Sequence, residues 1–171
     1  MRIFLLFFVS LLAKNCENTT LRWDNVDNGG KYWRIAANMK SDVLWALSRK
    51  NMFNHGYRLH YYQNNTWYTD KTQPESAGLY WNVLAVDPNG NPAYITTDDQ
   101  IVRKEGKVWT FLVGCSTGIA IGPDGILYRR DCDFYVNKYQ DGEWKKVSER
   151  KCSRMAVAED GRVWIRDYNN D

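Results

Sequence analysis

The sequence has few of the residues from which catalytic sites are usually built. It contains only two histidines, His55 and His60, and neither belongs to an H-E-x-x-H motif or lies beside a serine or cysteine in a nucleophile elbow. A glycosidase would need two carboxylates facing each other across a cleft. Turn formation is a sufficient explanation for the candidate aspartates, which all lie in predicted turns: Asp87, Asp98, Asp99, Asp124 and Asp160. We therefore predict that the protein is not an enzyme.

Charge excess and long apolar runs are also missing. The 23 basic and 20 acidic residues give a net charge of +3, and the basic residues are spread along the chain, so nucleic acid is not an expected partner. No apolar stretch approaches the roughly 20 residues that a membrane-spanning helix needs. Four prolines, twelve glycines and 25% charged residues exclude collagen-like and disordered chains. A chain of 171 residues is expected to form one compact domain.

The N-terminus differs in composition from the rest of the chain. Arg2 precedes an apolar run over residues 3–12 that is interrupted only by Ser10, and polar sequence follows Ala13. This pattern is typical of a secretory signal peptide over residues 1–13, followed by a single domain over residues 14–171. The alternatives are a hydrophobic edge strand and a retained anchor. A signal peptide predicts a secreted protein.

The rest of the chain contains an internal repeat. Residues 118–128 parallel residues 155–164, a third copy begins at residue 83 and reaches Tyr94 one residue late, and a degenerate fourth runs from Ala37 to Trp45. The alanines at 37, 85, 120 and 156 are 48, 35 and 36 residues apart. The repeat unit is therefore about 35 residues long, with an insertion in the first copy.

A second pattern runs in phase with the first. A turn sequence such as Asn64-Asn65 or Asp141-Gly142 precedes a tryptophan in each unit, and these dipeptides suit type I′ hairpin turns. Each unit is thus predicted to contain four short strands. In the third unit they are strand a (118–121), strand b (126–129), strand c (134–139) and strand d (143–147).

Four-stranded antiparallel units repeated at this spacing predict an all-β fold, a β-propeller of about four blades. Residues 153–166 supply only strands a and b, so the last blade is incomplete. Trp23 fits a d strand that would complete it from the N-terminus. Three alternatives for strand c stay open: it is absent, it is formed by residues 2–12, or several chains share one larger ring.

The units from residue 81 onward resemble a known family. Residues 95–109, the Ala-Ile-Gly-Pro-Asp-Gly turn and the following Tyr128-Arg129-Arg130-Asp131 look like the tectonin repeat of tectonins and fish-egg lectins. The similarity covers residues 21–168 and is weakest in the first unit. It implies a secreted β-propeller lectin that binds surface glycans or glycoproteins, often with disulfides and often in innate defence or egg coats. Such propellers usually have five or six blades, more than this chain can form.

The aromatic residues of the repeat divide into two sets. An aromatic that recurs with the fold is expected to pack between blades, and these are Trp23, Trp67, Trp109 and Trp144. The b-strand aromatics lie near loops, where ligands bind, and sugars combine an apolar face that stacks on aromatic rings with hydroxyls that need polar partners. The candidate sugar-binding residues are Trp45, Tyr94, Tyr128, Arg129 and Trp164. Because the unit repeats, each blade would offer one shallow site, and the protein would bind a glycan-coated surface through several sites at once.

Four cysteines, without close C-x-x-C pairs, predict disulfides rather than a zinc site. The strand scheme favours two disulfides, Cys115–Cys132 and Cys16–Cys152. A Cys132–Cys152 disulfide fits the scheme nearly as well. The alternative to disulfides is four buried thiols. Sequons for N-glycosylation start at Asn18 and Asn64.

No cofactor or metal ion is predicted. Residues 87–90 resemble the start of a calcium loop but lack the alternating ligands and distal glutamate of an EF-hand.

A non-catalytic interaction or structural subunit is the alternative function. The incomplete blade would present an open strand edge, which invites a second copy or a partner protein to add a strand.

Overall fold

The structure is a computed structural model that describes residues 32–38, 40–41, 43–51, 54–64, 66–74 and 79–169. The predictions made for residues 1–31 lie outside this range. They are the signal peptide, Cys16, the sequon at Asn18 and the d-strand role of Trp23.

Every regular element of the described residues is a β-strand. None of these residues forms a helix long and apolar enough to cross a membrane. The strands are β1 (Tyr32–Ala37), β2 (Leu44–Asn51), β3 (Asn54–Gln63), β4 (Thr66–Thr69), β5 (Leu79–Val86), β6 (Pro92–Thr96), β7 (Ile101–Glu105), β8 (Val108–Leu112), β9 (Ser116–Ile121), β10 (Leu127–Asp131), β11 (Tyr135–Gln140), β12 (Glu143–Val157) and β13 (Val163–Asp167).

The strands form antiparallel meanders, as the repeat predicts. Blade 1 is the sheet β1-β2-β3-β4 and blade 2 is the sheet β5-β6-β7-β8. Blade 3 comprises β9, β10, β11 and residues 143–151 of β12, and blade 4 comprises residues 152–157 of β12 together with β13. The a, b and c strands predicted for the third unit are observed within one or two residues.

Strand d of blade 3 differs from the prediction, because it continues without a break into strand a of blade 4. Residues 143–157 contain no glycine or proline to end the strand, whereas Gly114 and Pro74 lie between the earlier blades. A shift in register between Cys152 and Arg154 lets β12 change partners from β11 to β13.

The blades follow one another around a common axis. The first strands of consecutive blades contact each other: β1 contacts β5, β5 contacts β9, and β9 contacts β12. This arrangement is an arc of a β-propeller with an incomplete last blade, and the predicted fold class is confirmed.

The hydrophobic core lies between blades rather than within them. Trp45, Leu47 and Leu59 of blade 1 pack against Val86 and Tyr94 of blade 2. Ile95 and Ile101 form the next cluster with Leu127 of blade 3. Tyr128, Val136 and Cys152 form the third cluster and pack against Met155, Val157, Val163 and Ile165. Each sheet is therefore stabilised by its neighbours, as expected for a repeat protein.

The turns between strands a and b are built alike in blades 2, 3 and 4. Gly90, Gly125 and Gly161 each have a φ of 82°, a left-handed conformation that favours glycine. Asp87 Oδ1 accepts hydrogen bonds from the backbone N–H groups of Asn89 and Asn91. Turn formation thus accounts for this carboxylate, as the sequence predicts.

One disulfide joins Cys115, before β9, to Cys132 in the turn between β10 and β11. The predicted Cys115–Cys132 pair is confirmed, and the alternative Cys132–Cys152 pairing is wrong. Cys152 is fully buried and has no disulfide partner among the described residues. It lies inside β12 rather than in a loop, because β12 is continuous.

A buried ion pair links blades 1 and 2. Lys104 Nζ donates to Asp70 Oδ2, and the ammonium lies 5.4 Å from the ring centroid of Trp45 and 5.3 Å from that of Trp109. Burial alone would raise the pKa of Asp70, but hydrogen bonds from Lys104 and Thr72 outweigh it and lower the pKa below the usual value of 3.8. The pair therefore stabilises the folded state when Asp70 is ionised.

We predict that Asp70→Asn lowers the free energy of unfolding at pH 7 by about 3 kcal/mol, because it leaves a buried ammonium without its carboxylate. A carboxyl group with a lowered pKa contributes stability above its unfolded-state pKa and loses it as the pH falls through the folded-state pKa. The difference between wild type and variant should therefore shrink below about pH 4.

Denaturant unfolding at pH 7 and pH 3 measures this difference. Asp98→Asn, which removes an exposed turn carboxylate, serves as the control and should change little. An equal deficit for Asp70→Asn at both pH values would contradict the prediction.

Candidate ligand-binding face

Three of the predicted sugar-binding aromatics are buried. Trp45, Tyr94 and Tyr128 are 4%, 0% and 8% exposed, so their rings contact protein and cannot present a face to a sugar. Trp164 is 60% exposed. The four residues that the sequence grouped as candidates therefore do not form one set of surface sites.

Tyr94 also lies on the opposite face of its blade from the other three. Tyr128 pairs with Ala120 and Trp164 pairs with Ala156, but in blade 2 Ala85 pairs with Ala93, and Tyr94 pairs with Leu84. A shift of one residue along a strand turns the side chain to the other side of the sheet. In blade 2 the position equivalent to Tyr128 is held by Ala93, and Tyr94 is the next residue along the strand.

The first repeat is also displaced by one residue from the predicted alignment. Trp45 pairs with Ala36 rather than with the predicted Ala37. Ala36 is thus the structural equivalent of Ala120 and Ala156, and the turn that follows it is one residue longer.

Trp45 and Tyr128 occupy equivalent positions and face the blade that follows. Trp45 Nε1 donates a hydrogen bond of 2.7 Å to the carbonyl oxygen of Gly90 in blade 2, and Tyr128 lies in the cluster between blades 3 and 4. Trp164 occupies the same position in blade 4. It is exposed because no further blade follows in the part of the chain that the structure describes.

The exposed surface of blade 4 around Trp164 is basic. Residues of β12 and β13 alternate between buried and exposed faces, and the exposed side presents five residues that we call the terminal face: Arg154, Ala156, Arg162, Trp164 and Arg166. Three arginines thus share one face with an exposed indole.

Contacts within the terminal face hold its polar groups in place. The guanidinium carbon of Arg162 lies 5.8 Å from the Trp164 ring centroid. Arg162 also forms an ion pair with Asp160, with 2.5 Å between Nη2 and Oδ2. The hydrogen bond from the Arg162 guanidinium lowers the pKa of the Asp160 carboxyl group. Arg166 Nε donates to Ser153 Oγ at 2.8 Å. The face therefore offers an aromatic ring with both a carboxylate and guanidinium groups beside it.

Arg129, the other predicted binding residue, lies elsewhere. Its guanidinium carbon lies 4.2 Å from the centroid of the Trp144 ring, and its Nη1 occupies the space beside Gly114. Burial lowers the pKa of Arg129, and its Nε and Nη1 have no hydrogen-bond partner among the described residues. The ring of Trp144 faces this cation and compensates part of its desolvation. Arg129 packs on Trp144 within its own blade, blade 3, and is not part of the terminal face.

Two of the d-strand tryptophans contact the preceding blade. Trp109 Nε1 of blade 2 donates to Thr72 Oγ1 in the loop after blade 1, and Trp144 Nε1 of blade 3 donates to the carbonyl of Val113 after blade 2. Trp67 packs on Tyr62 of its own blade, with ring centroids 5.3 Å apart.

Sequence reasoning missed a serine–histidine contact in blade 1. Ser48 Oγ lies 2.6 Å from His60 Nε2, and His60 Nδ1 lies 3.2 Å from Thr69 Oγ1. Burial and the charge of Arg58 lower the pKa of His60. Both ring nitrogens therefore lie at hydrogen-bond distance from a hydroxyl group. The register of β2 on β3 creates this contact between residues twelve positions apart.

The predicted glycosylation site at Asn64 lies in the turn between β3 and β4. Its side chain is exposed and its φ is 50°. The position is accessible for modification.

Comparisons with known proteins identify no family. No known family's sequence profile matches the chain, and no curated protein is similar to it in sequence. Among solved structures, the chain is similar to YCF48 bound to D1 peptide, with a TM-score of 0.49 and 18% identity. The match covers 88% of this chain and 52% of that one, so the chain spans about half the length of the structure it matches.

We predict stability effects of different size for the two equivalent tryptophans. Trp45→Ala removes a buried indole and its hydrogen bond to Gly90, and should lower the free energy of unfolding by about 3–5 kcal/mol. Trp164→Ala removes an exposed indole and should cost less than about 1 kcal/mol. Denaturant unfolding of both variants tests the assignment, and similar costs would show that the terminal face is covered in solution.

Proposed function

We propose that this chain is a secreted, non-catalytic carbohydrate-binding protein that uses the terminal face. The observation that carries the proposal is the exposure of Trp164 at a position where the equivalent aromatics of blades 1 and 3 are buried. A large exposed aromatic ring with polar neighbours is a common feature of binding surfaces. Resemblance to tectonin repeats stays a prediction and favours the same function.

The chemistry of the terminal face suits a sugar. The C–H face of a pyranose packs on an indole ring, and the guanidinium of Arg162 and carboxylate of Asp160 can exchange hydrogen bonds with hydroxyls at the ring edge. Arg162 is already held between Trp164 and Asp160, which reduces the entropy lost on binding.

The repeat does not multiply this site within one chain. Trp45 and Tyr128 are covered by neighbouring blades and Tyr94 lies on the other face, so one chain offers one such tryptophan among the described candidates. Multivalent binding would then require several chains on one surface.

A glycan array probed with the mature chain tests the proposal, using wild type, Trp164→Ala and Tyr68→Ala. Tyr68 is a 43% exposed aromatic on blade 1 and serves as the matched control. We expect selective binding that free sugar inhibits, weakened about tenfold by Trp164→Ala and unchanged by Tyr68→Ala. Absence of binding by a folded sample, or equal losses in the two variants, would contradict the proposal.

A second candidate function is an interaction subunit, which the edge of β13 favours. β13 is the last strand of its sheet, and its outer edge is unpaired among the described strands. Such an edge can accept a strand from a second copy or a partner protein. Light scattering separates the candidates: a mass above that of a single chain without glycan binding would favour the interaction subunit.

A further inference from the structure

A second site lies on the inner side of the arc. A cavity of about 290 Å³ opens between the first strands of the four blades, and we call it the inner cleft. Residues of β1, β5, β9, β10 and β12 line it, so all four blades contribute. Its volume is close to the lower end for small-molecule sites in proteins, about 300 Å³. It has room for one sugar residue or a group of that size.

The inner cleft is strongly basic. Its charged lining residues are Arg34, Arg130 and Arg154, and no carboxylate of the residues that the structure describes lines it. None of these three arginines forms an ion pair with a carboxylate of the described chain. Arg154 also lies directly opposite Arg166 in the β12–β13 pair.

Arg130 is positioned rigidly at the wall of the cleft. Its Nε donates to Thr117 Oγ1 at 2.8 Å, its Nη2 donates to the Thr117 carbonyl at 3.1 Å, and its Nη1 donates to the carbonyl of Ser153. These bonds use three of the five N–H groups of a guanidinium. The other two remain for a ligand, and the charge is not neutralised by the carbonyl partners.

Arg154 connects the inner cleft to the terminal face. It precedes Ala156 by two residues on β12, and Ala156 pairs with Trp164 on β13. Side chains two apart on a strand lie on the same face. An oligosaccharide stacked on Trp164 therefore has a continuous path to the arginines of the cleft.

We propose that the inner cleft binds the anionic group of an acidic glycan. Carboxylate and sulfate ester share the required chemistry, since both present several acceptor oxygens with a negative charge to guanidinium donors. The proposal rests on the proposed carbohydrate-binding function and specifies its ligand class. It assigns to Arg34, Arg130 and Arg154 the preference for acidic over neutral sugars.

The test measures the affinity of the mature chain for one oligosaccharide in three forms: neutral, carboxylated and sulfated. Titration calorimetry at 50 mM and 200 mM salt should show at least tenfold tighter binding of an acidic form at the lower salt, with the advantage reduced at the higher salt. Whichever acidic form binds more tightly identifies the source of the anionic group.

Variants locate the effect. Arg34 is exposed, and Arg34→Gln should reduce the preference for the acidic form several-fold while leaving the affinity for the neutral form unchanged. The double variant Arg34→Gln/Arg154→Gln should abolish the preference. Lys107→Gln removes one exposed positive charge from the hairpin turn of blade 2 and is the matched control. Unfolding midpoints of all variants show whether each one is folded.

Each other outcome overturns the proposal in a recognisable way. Equal affinity for neutral and acidic forms would refute the inner cleft as an anion site while the carbohydrate-binding function stands. Equal losses from Arg34→Gln and Lys107→Gln would show that net charge alone is responsible. Binding of an oligoglutamate peptide as tight as that of the acidic glycan would exclude a glycan-specific site. Failure of every glycan to bind would overturn both proposals.

Discussion

The packing of one blade against the next is the constraint on which the rest of the structure depends. A four-stranded meander has two faces to bury, and here each face is buried by the neighbouring blade, through aromatic side chains that reach across. Trp45 points forward to the turn at Gly90, while Trp109 and Trp144 point back to the loops after the preceding blades. The buried pair of Lys104 and Asp70 supplies a polar contact at the first of these interfaces. An arc built in this way has an uncovered face wherever the series of blades ends.

This constraint explains why the aromatic side chain at one repeated position is buried in two blades and exposed in another. The same strand position holds Trp45, Tyr128 and Trp164, but only the last of these is largely exposed. A site for a ligand arises because the structural interaction is unsatisfied, and no special sequence motif is required. The arginines beside Trp164 give this face a basic surface, and they continue into the inner cleft through Arg154.

Much of the fold could be predicted from the sequence because the repeat is periodic. The positions of β9, β10 and β11 follow from residues 118–139, and the glycine turns at 125 and 161 follow from their shared pattern. The late position of Tyr94 was visible in the sequence, but the pairing that puts Ala93 rather than Tyr94 opposite Ala85, and so turns Tyr94 to the other face, depends on the register of two strands. The continuity of β12 was visible in principle, because residues 143–157 have no glycine or proline.

The site was less predictable than the fold. Burial of Trp45 and Tyr128 depends on the neighbouring blade, and the sequence of one strand contains no information on what covers it. Hydrogen–deuterium exchange of the folded protein with and without a bound oligosaccharide tests the central claim most directly. The account predicts new protection in residues 154–166 and at β1, with none at β4 or β8. Protection confined to β4 or β8 would contradict it.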